Sequence, residues 1–292
     1  MEEKYVNVKG IKTRYLEAGT GEPVVLVHGG HFGSPYNAND WDLNIDSLAK
    51  FFHVYAIDKI GAGFTDNPKS DEEYLIGSSV QHVYDFLNTM QIDSAHMAGH
   101  SRGGYTVCRL ALEHPERVTT LIIAASGTLF GSQNPTQNSS YDEWRRLAAL
   151  IKDIRDRHRY MAAANSFGSE HITDDFVDVI VRIVTLPKSQ EAVAKMKTLR
   201  LQFLGDLETK RKETHEWIRA GKLKAPTLIT WGFNDPSASF APVGLDGLRL
   251  ILPSVPRSEM HIFNRAGHYH FREQPEAFVI AVTNFIKLNS EI

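Results

Sequence analysis

An α/β fold, with a mostly parallel central sheet and helices on both faces, is predicted by three features of the sequence. β-rich runs alternate with helical stretches through residues 52–124 and again after Pro226. A polar and then helix-patterned stretch interrupts that alternation. The segment Gly99-His100-Ser101-Arg102-Gly103 falls where a strand should pass into a helix.

The elements follow from local pattern. Tyr5 to Val8, Ile11 to Leu16 and Val24 to Val27 are short β-rich runs separated by Lys9-Gly10 and Gly19-Thr20-Gly21, so the chain opens as a β-meander. Strands are then expected at Phe52 to Ile57, Ala95 to Ala98 and Val118 to Ala124, with helices at Ser79 to Met90 and Tyr105 to Glu113 between them. The segment Gly131 to Ser140 is polar and lacks an apolar period, and helical patterning follows it to about Gly221. Thr227 to Trp231, Gly244 to Leu252, Met260 to Phe263 and Ala277 to Leu288 then resume the strand and helix rhythm. The expected organisation is one core domain, residues 1–130 and 222–292, with a helical cap inserted over residues 131–221.

Composition narrows the function. The 292 residues are 42% hydrophobic and 23% charged, the balance of a globular chain with a large core. Lys and Arg number 32 against 35 Asp and Glu, so no basic excess points to nucleic acid. Met1-Glu2-Glu3-Lys4-Tyr5 lacks the basic start and apolar run of a signal peptide, and no run is long enough to span a bilayer, so a cytoplasmic protein without a membrane partner is expected. The single cysteine, Cys108, lies in an apolar helical stretch and reads as a buried small side chain.

The Gly-x-Ser-x-Gly segment has the context of a nucleophile elbow, where small neighbours permit the tight turn that lifts a serine hydroxyl above the sheet. A serine needs a base, and the base needs an acid to orient it. Among 13 histidines, His268 in Arg265-Ala266-Gly267-His268 follows the last predicted strand, and Asp235 in Trp231-Gly232-Phe233-Asn234-Asp235-Pro236 follows the one before. Ser101, Asp235 and His268 are therefore the expected triad. His28-Gly29-Gly30 follows the third strand, so the backbone N–H groups of Gly30 and of Arg102 are the expected oxyanion donors. Metal ligation by His28 and His31 lacks further ligands at regular spacing, and no metal or cofactor is expected.

The His-Gly-Gly loop, Asp58-Lys59-Ile60-Gly61-Ala62-Gly63, the elbow, the cap, and the Asp and His loops together resemble the α/β-hydrolase superfamily over essentially the whole chain. Gly10 to Gly19 and Trp41 to Ile45 look most like the meta-cleavage product hydrolases, which break a carbon–carbon bond in ring-opened catechols. The resemblance implies a small-molecule substrate, with homodimers common among such enzymes, and it matches Arg182 in the cap to an arginine that holds the substrate carboxylate. Arg182 reads equally well as a solvent-facing helix residue.

The chain departs from that family at several positions. The family commonly has Asn-Ser-Met where this chain has His100-Ser101-Arg102, a third glycine at His31, an asparagine near Asp40, and tryptophan at Tyr269. With Gly29 and Arg182, these residues are the candidate substrate contacts. Arg102 could turn inward, favouring an anionic substrate or pairing with Asp40, or outward to solvent. His100 could donate to substrate or pack behind the elbow. Phe167, Phe176, Val177, Ile180, Val181 and Ile183 are candidate cap residues lining the pocket. The expected activity is serine-dependent cleavage of a small carboxylated ketone or dienoate. The alternatives are an esterase or lactonase, a cofactor-independent dioxygenase on the same fold, whose elbow reads His-Ser-His, or a ligand receptor.

Overall fold

The computed structural model describes residues 1–131 and 139–290. The sheet is built from β1 (Glu2–Val8), β2 (Ile11–Ala18), β3 (Pro23–Val27), β4 (His53–Ile57), β5 (Ala95–His100), β6 (Val118–Ala124), β7 (Thr227–Gly232) and β8 (Ser258–Phe263). Their order is β1-β2-β4-β3-β5-β6-β7-β8. The opening hairpin and the β2–β4 pair are antiparallel, and every later pair is parallel. Crossovers are helical: α1 (Asp42–Leu48), α2 (Ile76–Thr89) and α3 (Arg102–Glu113) precede β6, and the short α4 (Gly127–Phe130) follows it. Five helices then intervene before β7: α5 (Ser139–Ala148), α6 (Ile154–Ala164), α7 (Asp174–Val184), α8 (Pro187–Thr198) and α9 (Arg200–Arg219). The chain finishes with α10 (Leu245–Ile251), α11 (His270–Glu273) and α12 (Pro275–Ser290). Most of the polar linker expected at Gly131 to Ser140, residues 132–138, lies outside the described residues.

Successive strand residues feed opposite layers, as a two-residue period requires. Val25 and Val27, Tyr55 and Ile57, Leu121 and Ile123 pack with α2, α3, α9 and α10. Val24 and Leu26, Val54 and Ala56, Ile122 and Ala124 pack with α1 and α12 through Ile45, Leu48, Phe278, Val282 and Phe285. All four residues Val24 to Val27 are fully buried, which accounts for the unbroken apolar run in the sequence. Helix α1, like the one-turn α4 and α11, is not predicted by the patterning. It is two turns long, and its buried positions include the polar Asn44, whose side-chain amide donates to the Phe271 carbonyl at 2.7 Å. No helix among the described residues is long and apolar enough to cross a membrane.

The register converges the loops. Val27 lies opposite Ile57 on one side and Gly99 on the other, so the segments following β3, β4 and β5 leave the sheet side by side. The segments after β6, β7 and β8 leave the same end beyond them.

Candidate active site

Ser101 stands between β5 and α3 with φ 53° and ψ −118°, a left-handed conformation that costs a non-glycine residue about 1–3 kcal/mol. The turn is held from three sides. The Ser101 N–H donates to the Ala124 carbonyl at 2.8 Å, and the Ser101 carbonyl accepts from the Ser126 hydroxyl at 2.5 Å and from the Gly104 N–H at 3.0 Å. Glycine is needed beside it for close approach: a Cβ at Gly99 would lie 2.3 Å from the Gly103 carbonyl oxygen, and one at Gly103 would lie 2.2 Å from that of Val27.

Asp235 and His268 meet from the loops after β7 and β8. His268 Nδ1 is 2.6 Å from Asp235 Oδ2, and both side chains are buried. Asp235 Oδ1 accepts three further bonds, from Ser237 N–H at 2.9 Å, Ser237 hydroxyl at 3.0 Å and Ala238 N–H at 2.8 Å. With its proton on Nδ1, His268 presents the Nε2 lone pair that a general base requires. The His268 backbone is fixed as well: its N–H donates to the Asn165 carbonyl at 3.0 Å, and its carbonyl accepts from His100 Nε2 at 3.0 Å. Glu273 gathers the N–H groups of Gly267, Phe167 and Gly168 at 2.7–2.9 Å, which ties residues 165–168 to the histidine loop. No hydrogen bond joins Ser101 to His268 among the described residues. The two are brought to one sheet end, with the His100 and His268 rings 4.5 Å apart.

The glycine loop lies against the elbow. A Cβ at Gly29 would come 3.1 Å from Ser101 Cβ, and Gly30 (φ 70°) leaves no room for one beside Ser34 and Tyr36. His28 is buried with both ring nitrogens in use: Nδ1 bonds the Gly29 carbonyl at 2.7 Å, and Nε2 accepts from the Lys59 N–H at 3.1 Å. Burial therefore holds its imidazole well below the usual range.

The residues that differ from the family pattern surround this loop. His100 sits behind the elbow, neutral through burial, and spends its N–H on the His268 carbonyl. Arg102 turns inward. Its guanidinium lies 5.2 Å from the Phe203 ring of α9, and its charge adds to burial in pushing His31 down to about 3 and Lys59 down as well. No ion pair to Asp40 forms. Asp40 is buried with one carboxylate oxygen unpartnered, and burial pushes it well above the usual carboxylate range. Tyr269 stacks on Tyr36, with ring centroids 6.0 Å apart.

Arg182 goes elsewhere. The buried face of α7 carries Phe176, Val177, Ile180 and Ile183, so Arg182 falls outside it, exposed, with its guanidinium 5.2 Å from the Phe64 ring. The structure does not bring it to the elbow. Of the expected lining residues, Phe176, Val177 and Ile180 form a small cluster with Ala162 and Ile172, against which Val181 packs. Phe167 is exposed beneath Arg265, and Phe176 alone touches Tyr269 edge-on. Cys108 is fully buried, and burial pushes its thiol up to about 12.

Lys59 was not singled out from the sequence. Its ammonium stem is almost fully buried and Nζ donates to the Gly30 carbonyl at 3.0 Å. The available signal was its position at the C-terminal end of a parallel strand, where ligands of open α/β sheets collect. Tyr36, Ser126 and Glu273 carried no such signal.

Comparison with known proteins places the fold in a family. Residues 22–275 match the family model described as the alpha/beta hydrolase fold. The chain is 28% identical over 297 residues to the 2-hydroxy-6-oxo-6-(2'-aminophenyl)hexa-2,4-dienoic acid hydrolase of Metapseudomonas resinovorans, covering 99% of this chain and 92% of that protein. It is 30% identical to a 2-hydroxy-6-oxononadienedioate/2-hydroxy-6-oxononatrienedioate hydrolase of Cupriavidus pinatubonensis, covering 97% and 94%. A meta-cleavage product hydrolase of Pseudomonas fluorescens, solved with acetate, superposes with a TM-score of 0.78 at 25% identity, covering 97% of each chain.

Proposed function

The chain belongs to the alpha/beta hydrolase family, among hydrolases of the carbon–carbon type, and on that premise we propose that it cleaves a small carboxylated ketone or dienoate with Ser101 as nucleophile. The observation that carries the reading is the buried Asp235–His268 pair at 2.6 Å, standing at the same sheet end as a serine in a strained elbow. His268 takes the Ser101 proton. The hydroxyl oxygen adds to the substrate carbonyl, and the N–H groups of Gly30 and Arg102 hold the resulting oxyanion. On a dienol substrate, tautomerisation to the ketone comes first. The bond between the attacked carbon and its neighbour then breaks, its electron pair leaves with the neighbour as a stabilised enolate, and His268 returns the proton. Water activated by His268 releases the acid from Ser101.

Residues 131–221 serve in this reading as a cap that sets specificity, supported by the bonds that tie Asn165, Phe167 and Gly168 to the His268 loop. The test is the decay of a coloured ring-cleavage dienoate with the wild type and Ser101→Ala, beside a p-nitrophenyl ester. Rapid bleaching that depends on Ser101 is expected. Ester cleavage with an inert dienoate would refute the carbon–carbon assignment and leave an esterase.

A further inference from the structure

Two basic side chains stand at the site without an ion-pair partner among the described residues. Arg102 begins α3 directly after Ser101, and its side chain reaches between the glycine loop and the cap, with Phe203 of α9 under its guanidinium. Its Nε is buried without a hydrogen-bond partner, and no carboxylate among the described residues pairs with it. Its charge reaches Lys59, His31 and the phenols of Tyr36 and Tyr141, none of them a carboxylate. Lys59 is likewise outside every ion pair among the described residues, and the one side-chain hydrogen bond it makes there goes from Nζ to the Gly30 carbonyl. Asp40 is the acid nearest in influence to Lys59, but no ion pair joins the two, and burial pushes the Asp40 carboxyl well above the usual carboxylate range.

The fully buried arginines among the described residues are, by contrast, all matched. Arg14 pairs with Glu3 and Asp58, Arg109 with Glu113 and Glu213, Arg211 with Glu208, and Arg272 with Asp42. Burying a cation without a partner is costly, and an unmatched pair beside a nucleophile lowers the cost of desolvating an anionic ligand there. Arg182 is not placed to do this, because it lies exposed over Phe64.

We infer that Arg102, with Lys59 beside it, is the carboxylate-recognition point of this enzyme, so that the anionic end of the substrate is read next to the nucleophile rather than from the cap. The guanidinium fork suits a carboxylate bidentately, and Lys59 Nζ adds a further hydrogen-bond donor from the side of the glycine loop. The inference rests on Ser101 as the nucleophile but not on which bond is cleaved.

Its test therefore uses two p-nitrophenyl esters, the neutral butyrate and the hemisuccinate that carries a free carboxylate. The quantity read is the ratio of kcat/KM for the anionic ester to that for the neutral one. We expect the wild type to favour the hemisuccinate, and Arg102→Met to lower the ratio about 10- to 100-fold, the range of a charged hydrogen-bonded contact. Arg182→Ala should leave the ratio within twofold. A measurement without variants runs alongside: succinate should inhibit wild-type butyrate hydrolysis competitively, at a concentration at least tenfold below succinamide. A wild type indifferent to charge, a ratio untouched by Arg102→Met, or a collapse in Arg182→Ala would each overturn the assignment. Because esters report it, failure of the dienoate to react would count against the proposed reaction and not against this site.

Discussion

Asp235→Asn offers the sharpest test of the triad, because the geometry dictates which way the new amide must face. In the native chain Asp235 Oδ1 receives Ser237 N–H, Ser237 hydroxyl and Ala238 N–H, while Oδ2 faces His268 Nδ1 at 2.6 Å. An amide NH2 cannot accept from two backbone N–H groups, so the asparagine oxygen stays at the Oδ1 position and its NH2 turns to His268. A donor at that point forces the imidazole to offer its Nδ1 lone pair and carry its proton on Nε2. That tautomer cannot take the Ser101 proton. The expected loss is on the order of 10⁴-fold in kcat, the scale seen when a triad histidine is held in the wrong tautomer, or about 5.5 kcal/mol of barrier. Substrate affinity should change little, and so should the melting temperature, because the three bonds at Oδ1 survive. The assay is single-turnover decay of the dienoate, with p-nitrophenyl butyrate as a second substrate and thermal unfolding as the control. A correctly folded Asp235→Asn enzyme within tenfold of wild type on both substrates would refute the role given to this pair.

Two further outcomes follow from the same coordinates. Gly99→Ala would place a Cβ 2.3 Å from the Gly103 carbonyl oxygen and 2.6 Å from the Gly104 nitrogen, both backbone atoms that cannot swing away. A stability loss of about 1–3 kcal/mol is expected, together with reduced kcat from a displaced Ser101, and an unchanged urea midpoint would contradict it. The second outcome concerns acid. His82 and His270 are buried and neutral, pushed down to about 4 and about 3 by desolvation, with side-chain bonds to Thr13 and Thr230. Their folded values lie below the unfolded value of about 6.5, so stability is unaffected above that pH and falls as pH drops through the window down to about 4. By linkage, each costs roughly 2–3 kcal/mol at pH 4.5. Urea unfolding at pH 7 and 4.5 measures this, with His82→Asn expected to flatten the slope. Equal midpoints for the wild type at both pH values would refute it.

The parts of this chain that could be read from sequence are those fixed by local period and by steric necessity. Val24 to Val27 is a buried parallel strand because it is apolar on both faces. The elbow can be recognised because only glycine fits at positions 99 and 103. Asp235 and His268 could be placed because each follows a strand, and parallel strands end on the same side of the sheet. What the sequence left open depends on where a side chain goes after leaving its own element. His100 donates to a carbonyl 168 residues away, and nothing near it in sequence distinguishes that from a bond to substrate. From sequence, Arg102 and Arg182 can each turn either way. The difference lies in their neighbours: Phe203 draws Arg102 under the cap, whereas the apolar face of α7 leaves Arg182 outside. Lys59 was overlooked because a charged residue after a strand usually reaches solvent, and here it is covered by the loop whose carbonyl it bonds. The order of the motifs thus makes the Ser101 elbow and the Asp235–His268 pair legible, while the direction each of these arginines takes is set by the residues that pack against it.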